Sequence, residues 1–185
     1  NVFLEATFSN SDETYVGQSA IAVGNPDGAG ISASYGIISV YSEHITLNIG
    51  GAVSLRVMRI DTPVNSGNSG GGLYNENGEL IGIVNAKTSD ESLENIGYAI
   101  PSNIVKAVAD NIIDHCYETE FEKVQRALLG ITVGISNSSP YLTEDGHIKV
   151  KETVFVTEVS KGGIAYGILE KNDILISARL NDTEI

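Results

Sequence analysis

The sequence has no tryptophan, one methionine and a single cysteine among its 185 residues. Because a disulfide needs two cysteines, Cys116 cannot close a bridge within the chain. The three histidines, His44, His115 and His147, are scattered without the spacing of zinc ligands. Apolar runs are only a few residues long, far below the roughly 20 that a membrane-spanning helix needs. We therefore expect no metal and no other cofactor.

Basic residues are also scarce, with 11 Lys and Arg against 24 Asp and Glu and a formal net charge of -13. Such a charge repels phosphate backbones and anionic lipid, so nucleic acid is not an expected partner. What the chain does have is glycine, 20 residues of it, in a composition that is 42% hydrophobic and 19% charged. This composition predicts a globular protein with many tight turns.

From residue 15 to residue 100, short apolar segments are separated by glycine, asparagine or proline about every ten residues. This rhythm is typical of antiparallel barrels and sandwiches. We predict strands at Ser19–Val23, Gly36–Tyr41, Val53–Arg59, Leu80–Ala86 and Gly97–Ile100. In the third of these, Val53, Leu55 and Val57 alternate with other residues and are predicted to form its buried face. The pair Asn77-Gly78 predicts a hairpin turn.

The spacing of the apolar residues changes after Pro101. Ser102 is predicted to cap a helix by accepting its first free N–H groups, and apolar residues then recur at four-residue spacing to residue 116. The polar segment 118–127 is predicted to be a linker. A second strand-rich unit follows from residue 128. Its clearest predicted strands are Thr153–Val159 and Asp173–Ala178.

The densest chemical signal is the run from Asn65 to Gly72, in which Ser69 stands among glycines. Glycine allows the backbone to curl so that the N–H groups of Gly67 and Ser69 converge beside the hydroxyl, as acyl transfer requires. The alternative is an ordinary glycine-serine turn. A nucleophile elbow of the α/β-hydrolase type is excluded, because a loop containing Pro63 precedes the serine and no helix directly follows it.

Several segments, in order, resemble the HtrA/DegP family of trypsin-like serine proteases. These are Val16–Pro26, Ser34–Ser39, Gly67–Gly71, Gly78–Lys87 and Ile96–Ser102. The resemblance implies a mainly β fold: the second six-stranded β-barrel of a chymotrypsin/trypsin-like protease, a linking α-helix, and a partial PDZ-like α+β unit. The implied domains are a segment leading out of an N-terminal barrel (1–14), the C-terminal protease barrel (15–117) with its closing helix (102–116), the linker (118–127) and the partial PDZ domain (128–185).

The resemblance also implies roles for individual residues. Ser69 would be the nucleophile, and the N–H groups of Gly67 and Ser69 would form the oxyanion hole. Asn85 and Ala86 would offer a strand edge to the substrate backbone. Pro63 would lie at the base of the primary specificity pocket, which implies cleavage after small or aliphatic residues.

Two neighbours of the serine depart from known patterns. Zymogen-activated trypsin-like enzymes have aspartate where this chain has Asn68, so activation by cleavage is not expected. The HtrA/DegP family usually has proline where this chain has Gly72, which is expected to loosen the turn.

The catalytic histidine and aspartate of the family lie on an amino-terminal barrel that this sequence does not contain. His44 is expected to be a solvated loop residue, and His115 and His147 surface groups, so none is assigned as the general base. A serine without a base is a weak nucleophile, and we expect this chain to be inactive alone. The alternative function is a PDZ-bearing peptide-binding or chaperone-like pseudoprotease.

In the second unit, Leu129, Gly130 and Ile131 resemble the PDZ loop that binds the terminal carboxylate of a peptide. The family resemblance further implies unfolded or misfolded polypeptides as substrates in protein quality control. It also implies a homotrimer and an extracytoplasmic location, in the periplasm or at the cell surface, with a membrane anchor in a segment outside this chain.

Overall fold

The computed structural model describes residues 4–28, 30–48, 52–65, 67–87, 96–115, 128–180 and 183–184. The chain divides into two compact units, Asn1–Val124 and Gln125–Ile185. The predicted linker 118–127 and Cys116 lie outside the described residues. Of the helices described, none combines the length and apolarity needed to span a bilayer.

The first unit is a closed antiparallel barrel of six strands. In chain order these are β1 (Ser19–Gly24), β2 (Ser32–Asn48), β3 (Ala52–Ile60), β4 (Gly72–Tyr74), β5 (Leu80–Lys87) and β6 (Gly97–Pro101). Around the barrel the order is β1-β2-β3-β6-β5-β4. The predicted mainly β fold with a six-stranded barrel is therefore confirmed. Strand β4 was missed because its three residues are too short to show a period.

Alternation along the strands fills the barrel. On β1, Ala20 and Ala22 point inward, and their small side chains leave room for larger ones opposite. The buried hydrophobic cluster consists of Ala20, Ala22, Ile38, Met58, Ile60, Val64, Leu73, Ile81, Val84 and Ala99. Because every strand contributes to one core, the loops at the barrel rim are carried on a well-packed support.

The predicted inward face of β3 was wrong where β3 joins the barrel. Met58 and Ile60, not the set that includes Leu55 and Val57, belong to the core cluster, although Val57 is also buried. The reason is that, among the described strands, residues 52–57 pair with β2 alone, and β6 becomes the second neighbour of β3 from Met58 onward. The alternation over 52–57 therefore belongs to a two-stranded ribbon.

Strand β2 is also longer than the predicted Gly36–Tyr41. It continues to Asn48 and pairs with β3 through two register shifts, between Ile38 and Val40 and between Val40 and Glu43. Such bulges bend a strand and increase its twist. Because of these bulges, the first half of β2 belongs to the barrel and its second half belongs to the two-stranded ribbon with β3.

Helix α1 (Ser102–His115) begins directly after β6. The expected cap was wrong: the Ser102 hydroxyl donates to the carbonyl oxygen of Ser9 at 2.7 Å. The N–H of Asn103 instead donates to the hydroxyl oxygen of Ser11 at 3.1 Å, and Ser11 N–H donates to Asn103 Oδ1 at 3.4 Å. The segment before the barrel therefore caps the helix from 92 positions away in sequence.

The second unit has a long hairpin of β7 (Ile131–Leu142) and β8 (Ile148–Val159), with β9 (Ile174–Leu175) on the other side of β8. A small pair, β10 (Arg179–Leu180) and β11 (Thr183–Glu184), follows. The strand predicted at Asp173–Ala178 is only two residues long. The described residues of this unit form strands and turns without a helix, so its expected α+β character is not observed there.

Candidate functional site

The candidate site lies on the serine loop, which we define as residues 61–71, between β3 and β4; position 66 lies outside the described residues. The first part of the loop is tied to two strands. Asp61 Oδ1 accepts the N–H of Ile37 at 2.6 Å, and the buried Thr62 hydroxyl donates to the carbonyl of Ala20 at 3.2 Å. These bonds attach the start of the serine loop to β1 and β2.

The second part of the loop folds into two successive turns around Asn68. The N–H of Asn68 donates to Asn65 O at 3.0 Å, and the N–H of Gly71 donates to Asn68 O at 2.9 Å. Gly67 and Gly70 adopt φ values of 93° and 85°, which side chains other than glycine rarely tolerate. This glycine requirement is the physical reason for the motif that the sequence displayed.

Ser69 is exposed at the tip of these turns. Within the described ranges its hydroxyl has no hydrogen-bond partner, and the N–H groups of Gly67 and Ser69 donate to no described acceptor. An oxyanion hole needs backbone donors that no other acceptor occupies. The arrangement therefore leaves a hydroxyl and two donors available on one short loop.

Strand β5 connects the serine loop to an open strand edge. The N–H of Gly70 donates to Val84 O at 2.7 Å, and the N–H of Val84 donates to Gly71 O at 2.9 Å. Strand β4 pairs with β5 only at Leu80, Gly82 and Ile83. Beyond Val84, the described strands leave β5 paired with β6 alone, and the register shift there places Asn85 in a bulge. The edge at Asn85 and Ala86 thus begins beside the serine loop.

Val84 was not among the predicted site residues. It anchors the serine loop through backbone hydrogen bonds, which any residue type could make, so no sequence signal marks it.

Two further positions singled out by the sequence are Pro63 of the serine loop and Gly72, the first residue of β4. Pro63 is exposed, and its carbonyl accepts the Ser34 hydroxyl at 2.8 Å, so the described residues place it on the surface of the loop. The Tyr74 ring occupies the space beside Gly72, since a Cβ on Gly72 would lie 2.5 Å from that ring. The Tyr74 ring therefore packs directly against this position.

The three histidines lie on separate elements of the structure. His44 is exposed, as expected, but it lies on β2, paired with Arg56, and not in a loop. His115 ends α1, and its side chain lies outside what the structure describes; His147 lies in the β7–β8 turn. No hydrogen bond between described residues joins a histidine to Ser69. Nor does any group of three or more His, Cys, Asp and Glu in the described ranges suit a metal ion.

The loop predicted to bind peptide carboxylates precedes β7. Gly130 has a φ of 74°, and its carbonyl accepts the N–H of Ser160 at 2.7 Å. The carbonyl of Leu129 accepts the N–H of Ala165 at 2.9 Å. From Ile131 onward, β7 pairs with β8 on one side, and no described strand of this unit covers its other edge. The unit therefore presents a second free strand edge after a glycine-containing loop.

Comparison with known proteins gives matches to serine proteases and to a trypsin-like peptidase domain. The family described as "Trypsin-like peptidase domain" matches residues 3–83. The periplasmic pH-dependent serine endoprotease DegQ of Escherichia coli (strain K12) is 37% identical over 175 residues, covering 94% of this chain and 36% of that protein. The serine protease Do-like HtrA of Bacillus subtilis (strain 168) is 30% identical over 183 residues, covering 94% and 39%.

Among solved structures, the HtrA-type protease AlgW with decapeptide superposes with a TM-score of 0.57 at 30% identity, covering 88% of this chain and 47% of that one. The chain spans less than half the length of each of these relatives.

Proposed function

We propose that the protein is a serine endopeptidase of the HtrA/DegP type with Ser69 as its nucleophile, because its barrel is similar to those of such proteases. The observation that carries the proposal is the exposed Ser69 hydroxyl beside the unoccupied N–H groups of Gly67 and Ser69, on a loop bonded to an open strand edge. A plain glycine-serine turn has no need of that edge.

The chemistry is attack by Ser69 Oγ on a peptide carbonyl carbon. The carbonyl oxygen becomes an oxyanion, which the N–H groups of Gly67 and Ser69 stabilise, and the proton of the hydroxyl passes to a general base. Removing one such donor in other enzymes costs about 2.7–4 kcal/mol of transition-state stabilisation. The intermediate collapses as the C–N bond breaks, and the base gives its proton to the leaving amine, which leaves an acyl-enzyme. Water, deprotonated by the same base, then hydrolyses the acyl-enzyme and frees the Ser69 hydroxyl.

The substrate is an extended, unfolded or misfolded polypeptide. Main-chain hydrogen bonds to the β5 edge at Asn85 and Ala86 recognise any backbone in extended form, whereas a folded protein has few free strands to offer. This recognition suits protein quality control. Pro63 carries no charge to pair with a basic side chain, which supports cleavage after small or aliphatic residues.

The family resemblance supports a general base and an orienting carboxylate in a part of the protein outside these 185 residues. The isolated chain is accordingly inactive. Relatives whose names include "periplasmic" support an extracytoplasmic location. The homotrimer and the membrane anchor stay predictions.

The test is labelling of the full-length protein with a fluorophosphonate, which reacts with activated serines. We expect one labelled site, lost in Ser69→Ala and kept in Ser32→Ala, which removes another exposed barrel serine. The isolated chain should label at least about a thousandfold more slowly, since removing any triad member leaves only a small residual activity. Absence of labelling in every condition would favour the pseudoprotease instead.

The second unit is proposed to bind peptide C-termini through the backbone N–H groups of the Leu129-Gly130-Ile131 loop and the free edge of β7. The described unit has few buried residues, so binding by this chain alone is expected to be weak or absent. In the full-length protein, a fluorescent peptide with a free carboxylate should bind at least tenfold more tightly than its amidated form. Equal affinities would contradict a carboxylate-binding loop.

A further inference from the structure

We propose that Asn68, the residue directly before Ser69, is a positioning residue for the nucleophile that acts with Gly24 of β1. It works through its shape and its lack of charge. The proposal rests on the proposed role of Ser69 and adds to it a requirement on the neighbouring side chain.

Asn68 differs from its neighbours in burial. It is 5% exposed, whereas Gly67 and Ser69 on either side are exposed. Its own N–H and C=O make the two hydrogen bonds that define the turns, to Asn65 and from Gly71. Because Ser69 is the next residue, any displacement of Asn68 moves the nucleophile with it.

The end of β1 forms the surface against which Asn68 packs. A Cβ at Gly24 would lie 2.5 Å from Asn68 Oδ1 and 2.9 Å from Asn68 Cα, distances that real Cβ contacts do not show. The N–H of the next residue, Asn25, donates to Gly67 O at 3.4 Å. Gly24 at the end of β1 and Asn25 after it thus support Asn68 and the neighbouring Gly67.

The site also disfavours a charge. Asn68 Oδ1 is buried and accepts no hydrogen bond from any described residue. An ionised carboxylate of the same shape would be buried there without a donor, which is far more costly than an unpaired amide oxygen. The elements around it, β1, the serine loop, β4 and β5, carry three titratable residues, Asp61, Tyr74 and Lys87. Asp61 Oδ1 is already bonded to Ile37 N–H.

The decisive variant is Asn68→Asp in the full-length protein, measured as the fluorophosphonate labelling rate relative to wild type at each pH from 5 to 9. Burial without a donor raises the pKa of the introduced carboxyl, so it is neutral at low pH and ionised at high pH. We expect a rate within about threefold of wild type near pH 5 and at least tenfold slower at pH 8.

Stability should follow the same direction. A raised pKa makes the variant's stability highest below the carboxyl's unfolded pKa of about 3.9, and that stability is lost as pH rises through the folded pKa. The Tm difference from wild type should therefore widen from pH 4 to pH 8.

Two further variants separate shape from charge. Asn68→Leu keeps the shape without a charge and should label within about threefold of wild type across the pH range. Gly24→Ala should slow labelling at least tenfold without new pH dependence. Its control is Gly82→Ala, where a Cβ would lie 2.7 Å from both Ile100 O and the Met58 methyl. That control should lower Tm without slowing the labelling of folded protein.

The proposal is overturned if Asn68→Asp follows wild type at every pH, or if Asn68→Leu is as slow as Asn68→Asp at pH 8, which would mean that Oδ1 accepts a hydrogen bond in the working enzyme. If Asn68→Asp is unfolded at neutral pH, refolding on acidification supports the proposal and failure to refold contradicts it. Absence of labelling in wild type contradicts the role of Ser69 instead, and the Tm profiles then still decide whether position 68 must be neutral.

Discussion

The barrel and the second unit use their apolar residues differently. In the barrel, large side chains such as Ile38, Met58 and Ile60 are fully buried. Among the described residues of the second unit, Val156 and Ala165 are the buried hydrophobics. Exposed large hydrophobics of that unit include Leu128, Leu142, Ile164, Ile168, Ile174 and Ile176. Since burial of apolar surface is the main stabilising contribution, the barrel is the better support for a site that needs fixed geometry.

The two units also differ in the range of their contacts. In the barrel unit, Ser11 and Asn103 bond to each other across 92 positions of sequence. In the second unit, much of the pairing is between β7 and β8, which one short turn connects. Long-range contacts close the barrel on itself, whereas a hairpin can open locally. Both differences lead to measurable predictions.

The largest expected effect is the loss of a buried side chain in the barrel. Ile38→Ala should lower the free energy of unfolding by about 2–5 kcal/mol, because the barrel cannot collapse around the cavity. The matched change in the second unit, Ile174→Ala, removes a side chain that is 62% exposed and should cost less than about 1 kcal/mol. Hydrogen exchange of the amides in each unit measures both. Equal losses would remove the contrast between the units.

Much of the barrel could be predicted from the sequence, because strands such as β1 and β6 have clear apolar periods between turn residues. Three features could not be predicted that way. Strand β4 has three residues, β3 changes its pairing at Met58, and the α1 cap comes from Ser11. In each case the outcome depends on a partner distant in sequence, which a local pattern does not contain.

The candidate site, like the barrel, could be predicted from the sequence only in part. The glycines around Ser69 showed the turn, since positive φ at Gly67 and Gly70 restricts the residue type. The contact of Gly24 with Asn68 and the bonds to Val84 were not predictable, because they join segments that meet only in the folded barrel. Local backbone demands are thus visible in sequence, and the tertiary support of the site is not.

A smaller effect is expected at the start of α1, where a long-range contact replaces the local cap. Ser11→Ala removes the acceptor of the Asn103 N–H and should cost about 1 kcal/mol, within the 0.5–2 kcal/mol typical of lost caps. Exchange of the Asn103 amide should quicken about fivefold. Ser102→Ala is the control, because it removes a hydrogen bond to Ser9 but leaves the cap in place.

The two serines separate the local from the long-range explanation. If Asn103 exchanges faster in Ser102→Ala than in Ser11→Ala, the helix is capped locally and the segment before the barrel is only an attachment. If Ser11→Ala has the larger effect, the segment that precedes the barrel helps to fix the helix that follows it. The barrel unit would then be stabilised by a contact between a residue before its first strand and a residue after its last strand. The pairing of β7 with β8 in the second unit is instead local.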